Sequence, residues 1–259
     1  RRLHLMGVNA ARVDLQGAAT FATVTIPGAF SSPVLVCENI SFENCRGEDG
    51  AVLRVVGTIG EVVVRQCRFS ACQAADDGGA IYAHGASLTI DDCWFERCEA
   101  VGDGGAVLAE GGTQALVRRS HFEVCAAEAD GGAFCVRGVT VQPVLFESCV
   151  FQKNVAWRGG ALSALDGADA EVRQCTLAGN SAAAASGGGA FFGSSTASLL
   201  NASGCIFWNN SAGGVTHSHL ASGMHAINYS TFSGWTLATG PAGVGNNGSD
   251  PVFREGALL

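Results

Sequence analysis

Four aspartates hold the same place in successive stretches of the chain. Asp49, Asp77, Asp103 and Asp130 each stand directly before a glycine, and Asp76 adds a neighbouring carboxylate. Carboxylates repeated in this way have three uses. They splay into water as turn residues, they converge on Ca²⁺, which wants several oxygens, or they supply the acid and the base that flank a glycosidic bond. Asp77, Asp103 and Asp130 are therefore both the candidate catalytic carboxylates and the candidate calcium ligands, and no cofactor other than calcium is expected. Asp91 and Asp92 form a second acidic pair, with Arg118 and Arg119 one repeat further on. A β-elimination lyase would want Arg65, Arg118 or Arg119 near a carboxylate-bound cation, whereas a surface ion pair accounts for the same residues. His217-x-His219 with His225 has metal-ligand character, and a plain solvent loop explains it equally. There is no Gly-x-Ser-x-Gly nucleophile elbow and no phosphate-binding Gly-x-x-x-x-Gly-Lys.

The eleven cysteines fall mostly into two series. One holds Cys67, Cys93, Cys149, Cys175 and Cys205, with Ser120 in the gap, and the other holds Cys45, Cys72, Cys98 and Cys125. Two readings stand. Cysteine fills interior columns as a small apolar residue, or stacked copies are bridged, as Cys45–Cys72, Cys98–Cys125, Cys67–Cys93 and Cys149–Cys175, or within a copy as Cys67–Cys72 and Cys93–Cys98. Asn-x-Ser/Thr occurs at Asn39, Asn201, Asn209, Asn228 and Asn247. Asn201, Asn228 and Asn247 are expected in surface turns and Asn209 in an asparagine stack. Sequons and cysteines together favour a secreted, cell-surface or other oxidising lumenal location.

The elements that position these residues follow from a repeat. Cys67-Arg-Phe69 returns as Cys93-Trp-Phe95, Ser120-His-Phe122, Cys149-Val-Phe151, Cys175-Thr-Leu177 and Cys205-Ile-Phe207, with outlying copies at Phe42 and Phe232. Gly-Gly-Ala-apolar returns at Gly78, Gly104, Gly131, Gly159 and Gly188. A short alternating strand precedes each Phe motif, with inward pairs Val62/Val64, Leu88/Ile90, Ala115/Val117, Val144/Phe146 and Ala170/Val172. Short strands and Gly turns at one period of 25 to 30 residues describe a parallel β-helix, read as three strands per coil. The fold class is all-β: a single-stranded right-handed parallel β-helix of about 8 to 10 coils. Residues 1–34 form an N-terminal coil or cap, 35–235 the regular repeats and 236–259 a C-terminal cap or tail. The composition agrees, with 36 glycines and only 15% charged residues, and excludes a disordered chain. A net charge of −8 and scattered basic residues exclude nucleic acid as a partner, and no apolar run is long enough for a membrane span.

Gly-Gly-Ala-apolar and Phe-x-x-Asn resemble the repeats of the chlamydial polymorphic outer-membrane proteins, and more broadly the pectin-lyase-like right-handed β-helices. The closing stretch Cys205-Ile-Phe-Trp-Asn-Asn-Ser-Ala, with Asn228-Tyr-Ser and Asp250-Pro-Val-Phe253, is similar to the end of many secreted β-helix proteins. The resemblance departs at Cys45, Cys72, Cys98 and Cys125, where Phe-x-x-Asn expects Asn. It implies surface display and an adhesive or scaffolding role. The expected function is a non-enzymatic extracellular module that binds a protein assembly partner or a cell-surface glycan through its walls or end coils. The alternative is a polysaccharide lyase or hydrolase using carboxylates on one wall.

Overall fold

The computed structural model describes residues 3–14, 22–26, 33–57, 61–195, 197–216, 218–221, 224–234 and 244–248. They form an all-β parallel solenoid of about seven turns. Each coil has four strands where the sequence suggested three. In one coil they are Glu61–Arg65, Arg68–Ser70, Gln73–Ala74 and Ile81–His84, and their stacked equivalents make the first, second, third and fourth walls. The first two walls belong to one 16-stranded sheet, because Pro33–Glu43 runs through both, and the third and fourth walls are 8-stranded sheets.

The extra wall comes from an extra bend. Gln66, Asp92, Arg119, Ser148 and Gln174 all have φ between 47° and 55° and separate the first wall from the second. A second column, Ala71, Arg97, Val124 and Lys153, turns the chain into the third wall in the same conformation. Left-handed backbone costs a non-glycine residue roughly 1–2 kcal/mol. Each such residue is held by its neighbour coil, as Gln66 N–H donating to Asp91 O (3.0 Å) and Ala71 N–H donating to Glu96 O (2.9 Å) show.

The interior follows the expected columns. Phe42, Phe69, Phe95, Phe122 and Phe151 are buried and stack nearly parallel, with centroids 4.5 to 5.2 Å apart. That spacing is set by the ladder, whose strands lie about 4.8 Å apart. Ala51, Ala80, Ala106, Ala133, Ala161 and Ala190 are fully buried beside the glycine corner, and the inward pairs of the first wall are buried.

The eleven cysteines are all buried free thiols, so the bridges considered for Cys45, Cys67, Cys72, Cys93, Cys98, Cys125, Cys149 and Cys175 are not formed. Stacked side chains leave in parallel directions, which is poor disulfide geometry. The thiols instead bond main-chain carbonyls: Cys93 Sγ meets Val64 O (3.5 Å) and Asp91 O (3.4 Å), and Cys98 Sγ meets Phe69 O (3.7 Å). Burial pushes the Cys37 thiol up to about 12 and the Cys205 thiol to about 11. Where cysteine gives way to asparagine, a side-chain ladder begins. Asn154 Nδ2 donates to Phe122 O (3.0 Å) and Asn180 Oδ1 (3.0 Å), and Asn180 Nδ2 donates to Phe151 O (2.9 Å) and Asn210 Oδ1 (2.9 Å).

Among the described residues the end of the third wall and part of the second are covered, while Met224–Asn228 and Leu220–Ala221 are the end strands of their sheets. Val215–Thr216 folds back antiparallel on Ser211–Ala212, and Asn247 bridges to Thr231. Covered edges do not template further strands. No described helix is long and apolar enough to cross a membrane.

Candidate functional site

The bend between the first and second walls opens outward as a groove of about 670 Å³. It crosses several coils and is lined by Gln66, Arg68, Asp92, Trp94, Arg119 and His121, among others. Two outward columns make it. The bend residues Gln66, Asp92, Arg119 and Ser148 provide amide, carboxylate, guanidinium and hydroxyl groups along one side. Arg68, Trp94, His121 and Val150, in register on the second wall, provide the other.

Trp94 and His121 stack with centroids 4.0 Å apart, and the Arg68 guanidinium lies 5.6 Å from the Trp94 ring. The indole therefore has a neighbour along the ladder on each face and shows its edge to the groove, with 37% of the residue exposed. Burial lowers the His121 pKa, and its Nε2 has no hydrogen-bond partner, the Glu123 carboxylate being 4.0 Å away. That shift favours the neutral imidazole. Position x of the Cys-x-Phe motif carries Arg68, Trp94 and His121, so the repeat alignment already holds the signal for this column.

The basic residues of the first wall have carboxylate neighbours. Glu38, Arg65, Asp91, Arg118, Glu147 and Arg173 pair in register and alternate in sign along one outward column. Arg65 lies 2.9 Å from Glu38, and Arg119 lies 2.6 Å from Asp91, with Arg118 at 3.8 Å. Asp91 is thus clamped between two guanidinium groups, and the arrangement is an ion-pair ladder.

The aspartate column sits at the corner between the third and fourth walls. Asp77 Oδ1 accepts from Asp103 N–H (2.6 Å), and Asp103 Oδ1 accepts from Asp130 N–H (2.9 Å). Asp103 and Asp130 are buried, at 7% and 3% exposure, so they are not solvated turn residues. Their charge is met by arginine. Arg137 pairs with Asp103 and lies 3.5 Å from Asp77 and 3.1 Å from Glu110. Arg158 closes the series on Asp130 at 2.6 Å, and Arg54 meets Asp49 at 3.2 Å. Burial pushes the Asp77 and Asp130 carboxyls above the usual range. Burial also acts to raise Glu110, but Tyr82, His84 and Arg137 outweigh it and hold that carboxyl below its usual range. A calcium ion here would have to displace the Arg137 guanidinium, and among the described residues no three His, Cys, Asp or Glu side chains are gathered to hold a metal. Arg137 was missed in the sequence, although His84, Glu110 and Arg137 hold one position in three successive repeats.

Removing Asp77 should therefore be a structural loss. Asp77→Ala leaves Asp103 N–H without its acceptor, and the expected cost is about 1–3 kcal/mol. Asp77→Asn keeps an acceptor oxygen and should cost less than half of that. Urea unfolding of the two variants checks this, and an equal loss for both would mean that the charge and not the hydrogen bond matters.

The remaining candidates are dispersed. Asn39 lines the groove. Asn201 lies within Leu199–Ser203 on an outward position and not in a turn. Asn209 is exposed at a left-handed bend, while its neighbour Asn210 is the buried ladder member, which reverses the expectation for Asn209. Asn228 Oδ1 accepts from Val244 N–H (2.9 Å), and exposed Asn247 meets Thr231 Oγ1 at 3.2 Å. His219 is buried and bonds Asn210 Nδ2 (3.1 Å) and Ser233 O (2.9 Å), so it terminates the asparagine ladder, and His217 lies outside the described residues.

No curated protein and no solved structure matches the chain. The right handed beta helix region family matches residues 29–177, which includes the groove, the aspartate column and most of the phenylalanine stack. With its parallel coils, inward columns and left-handed corners, the chain belongs to the right-handed β-helix region family.

Proposed function

We propose that the chain is a non-enzymatic adhesive module, displayed outside the cell, that holds a glycan in the groove between its first and second walls. The carrying observation is the Arg68–Trp94–His121 stack facing a row of amide, carboxylate, guanidinium and hydroxyl groups across one groove. Planar hydrogen-bonding groups beside the electropositive edge of an aromatic ring suit the oxygens of a hydroxyl-rich ligand. The groove lining holds a single carboxylate, Asp92, whereas glycosidic cleavage uses a pair, and the neighbouring Asp91 is held by Arg118 and Arg119, which favours binding over bond cleavage. The resemblance of the repeats to chlamydial polymorphic outer-membrane proteins, and the sequons, support surface display.

Titration calorimetry against a panel of oligosaccharides tests the reading. A binder should lose about tenfold or more in affinity with Trp94→Ala, as buried aromatic anchors do. Gln66→Ala should weaken it further, while Asp103→Asn should leave it unchanged. Binding that ignores Trp94→Ala would move the ligand to another wall.

The second reading is a polysaccharide hydrolase or lyase acting through Asp77, Asp103 and Asp130. Its support is the raised carboxyls of Asp77 and Asp130, a property of general acids. New reducing ends or unsaturated sugars released from a polyuronate panel, and lost with Asp103→Asn, would establish it in place of the first.

A further inference from the structure

His121 and Glu123 are the first and third residues of one strand, so both side chains leave its outer face. The His121 Nε2 is closed off from solvent and has no hydrogen-bond partner, and a Glu123 carboxylate oxygen lies 4.0 Å from it. Among the described residues no arginine or lysine pairs with Glu123. A neutral imidazole gains little from that carboxylate. An imidazolium gains a counter-charge at Nε2. It also keeps an aromatic face to rest on, because Trp94 is already stacked on the ring at 4.0 Å.

The other charges around the ring have partners of their own. On the preceding coil Glu96 is paired with Arg68 and, at 2.8 Å, with Arg97. In the bends, Arg119 is paired with Asp91, and Asp92 meets Gln66 at 3.5 Å. The next coil sets Val150 and Gln152 beside His121 and Glu123, and neither carries charge, while Lys153 stands exposed in the bend that follows. Burial, the larger influence, holds the His121 pKa below its ordinary value of 6.5, and Glu123 acts against it. The proton is therefore taken up on the acid side of that value.

We propose that His121 and Glu123 form a proton-binding pair that gates the groove, so that acidification places an imidazolium against Trp94 and tightens the hold on a glycan. This rests on the glycan reading of the groove. His121 lines the groove, so its proton adds a charged donor there. Hydrogen bonds from a charged donor are about twice as strong as neutral ones. By linkage, a bound glycan in turn raises the His121 pKa.

The pair is tested without any ligand. An imidazolium stacked on an indole quenches its emission. The Trp94 contribution, taken as the difference between the unaltered chain and Trp94→Phe, should lose intensity in one transition as the pH falls from 8 to 5. Glu123→Gln removes the counter-charge and should shift the midpoint to lower pH. His121→Phe keeps a stacked ring and should abolish the transition. In calorimetry, an oligosaccharide that binds at pH 8 should bind about three- to tenfold more tightly at pH 5, and His121→Phe should lose that gain. Trp94 emission indifferent to pH, or a midpoint unmoved by Glu123→Gln, would overturn the pair. Equal affinity at both pH values would overturn the gate. A panel with no binder at either pH would overturn the glycan reading and the gate with it, and a surviving emission transition would place that failure in the ligand and not in the pair.

Discussion

Replacing Phe122 with alanine is expected to destabilise the fold by about 3–5 kcal/mol, the range for a buried aromatic truncated in a core that cannot collapse. Phe122 is fully buried, with Phe95 4.7 Å away on one face and Phe151 4.9 Å away on the other. Phe134 meets it edge-on at 6.4 Å. The hole left by alanine cannot close, because the hydrogen-bonded ladder above and below sets the coil spacing, and Phe95 and Phe151 are each already held in their own strands. Leu177 occupies the same column two coils on, buried and in register with Phe151. Phe122→Leu should therefore cost only about 1–1.5 kcal/mol, since it preserves most of the volume. Urea unfolding followed by far-ultraviolet dichroism measures both. Equal losses for the two variants would mean that ring stacking, and not filled volume, holds the column.

That column was legible because it is periodic and apolar. Phe42, Phe69, Phe95, Phe122 and Phe151, the buried alanines and the inward valines all lie where the repeat puts them. What escaped was structure whose cause lies in a neighbouring coil. Gln66, Asp92, Arg119 and Ser148 share one left-handed conformation yet share no chemistry, because their side chains face outward and the angle is held by main-chain bonds to the next coil. No residue-type signal marks that bend, and so three walls were expected where there are four. The aspartates were visible, but their environment was not. Solvated turns were the simplest reading of Asp103 and Asp130, and burial beneath Arg137 and Arg158 replaced it, since Arg137 comes from the fourth wall and Arg158 from the same corner one coil later. The cysteine series were equally visible. Choosing between packing and bridging needed the direction of each thiol, and those point at carbonyls. At the groove the residues were present in the motif, and only the bend that sets them side by side was hidden.

Gly132→Ala should reach the range of the loss of Phe122, although it adds a single methyl group. Its backbone angle is one that alanine also adopts, so the obstacle is space. A Cβ at Gly132 would lie 2.2 Å from Gly160 O and 2.5 Å from Val155 O. Both are main-chain atoms of the next coil and cannot rotate away as a side chain would. To make room, the corner would have to lift, opening Gly131 N–H to Arg158 O, Gly132 N–H to Gly159 O and Ala133 N–H to Ala161 O, each 3.0 Å. The expected cost is at least about 3 kcal/mol, the upper end of overpacking. Gly138→Ala is the control. Gly138 has φ of 86°, but its nearest neighbour to an added Cβ is 3.9 Å away, so alanine meets backbone strain and no clash, about 1–2 kcal/mol. Comparing the two by unfolding separates close approach from backbone angle, and a Gly132→Ala no worse than Gly138→Ala would refute the close-approach account. The same reasoning explains why the motif needs two glycines. The first of each pair turns the chain, as the φ of 70° at Gly131 shows, and the second lets the third and fourth walls close on each other. That closure buries Asp103 and Asp130 at the corner and, coil by coil, aligns the third wall whose outer face carries Val155 and Trp157.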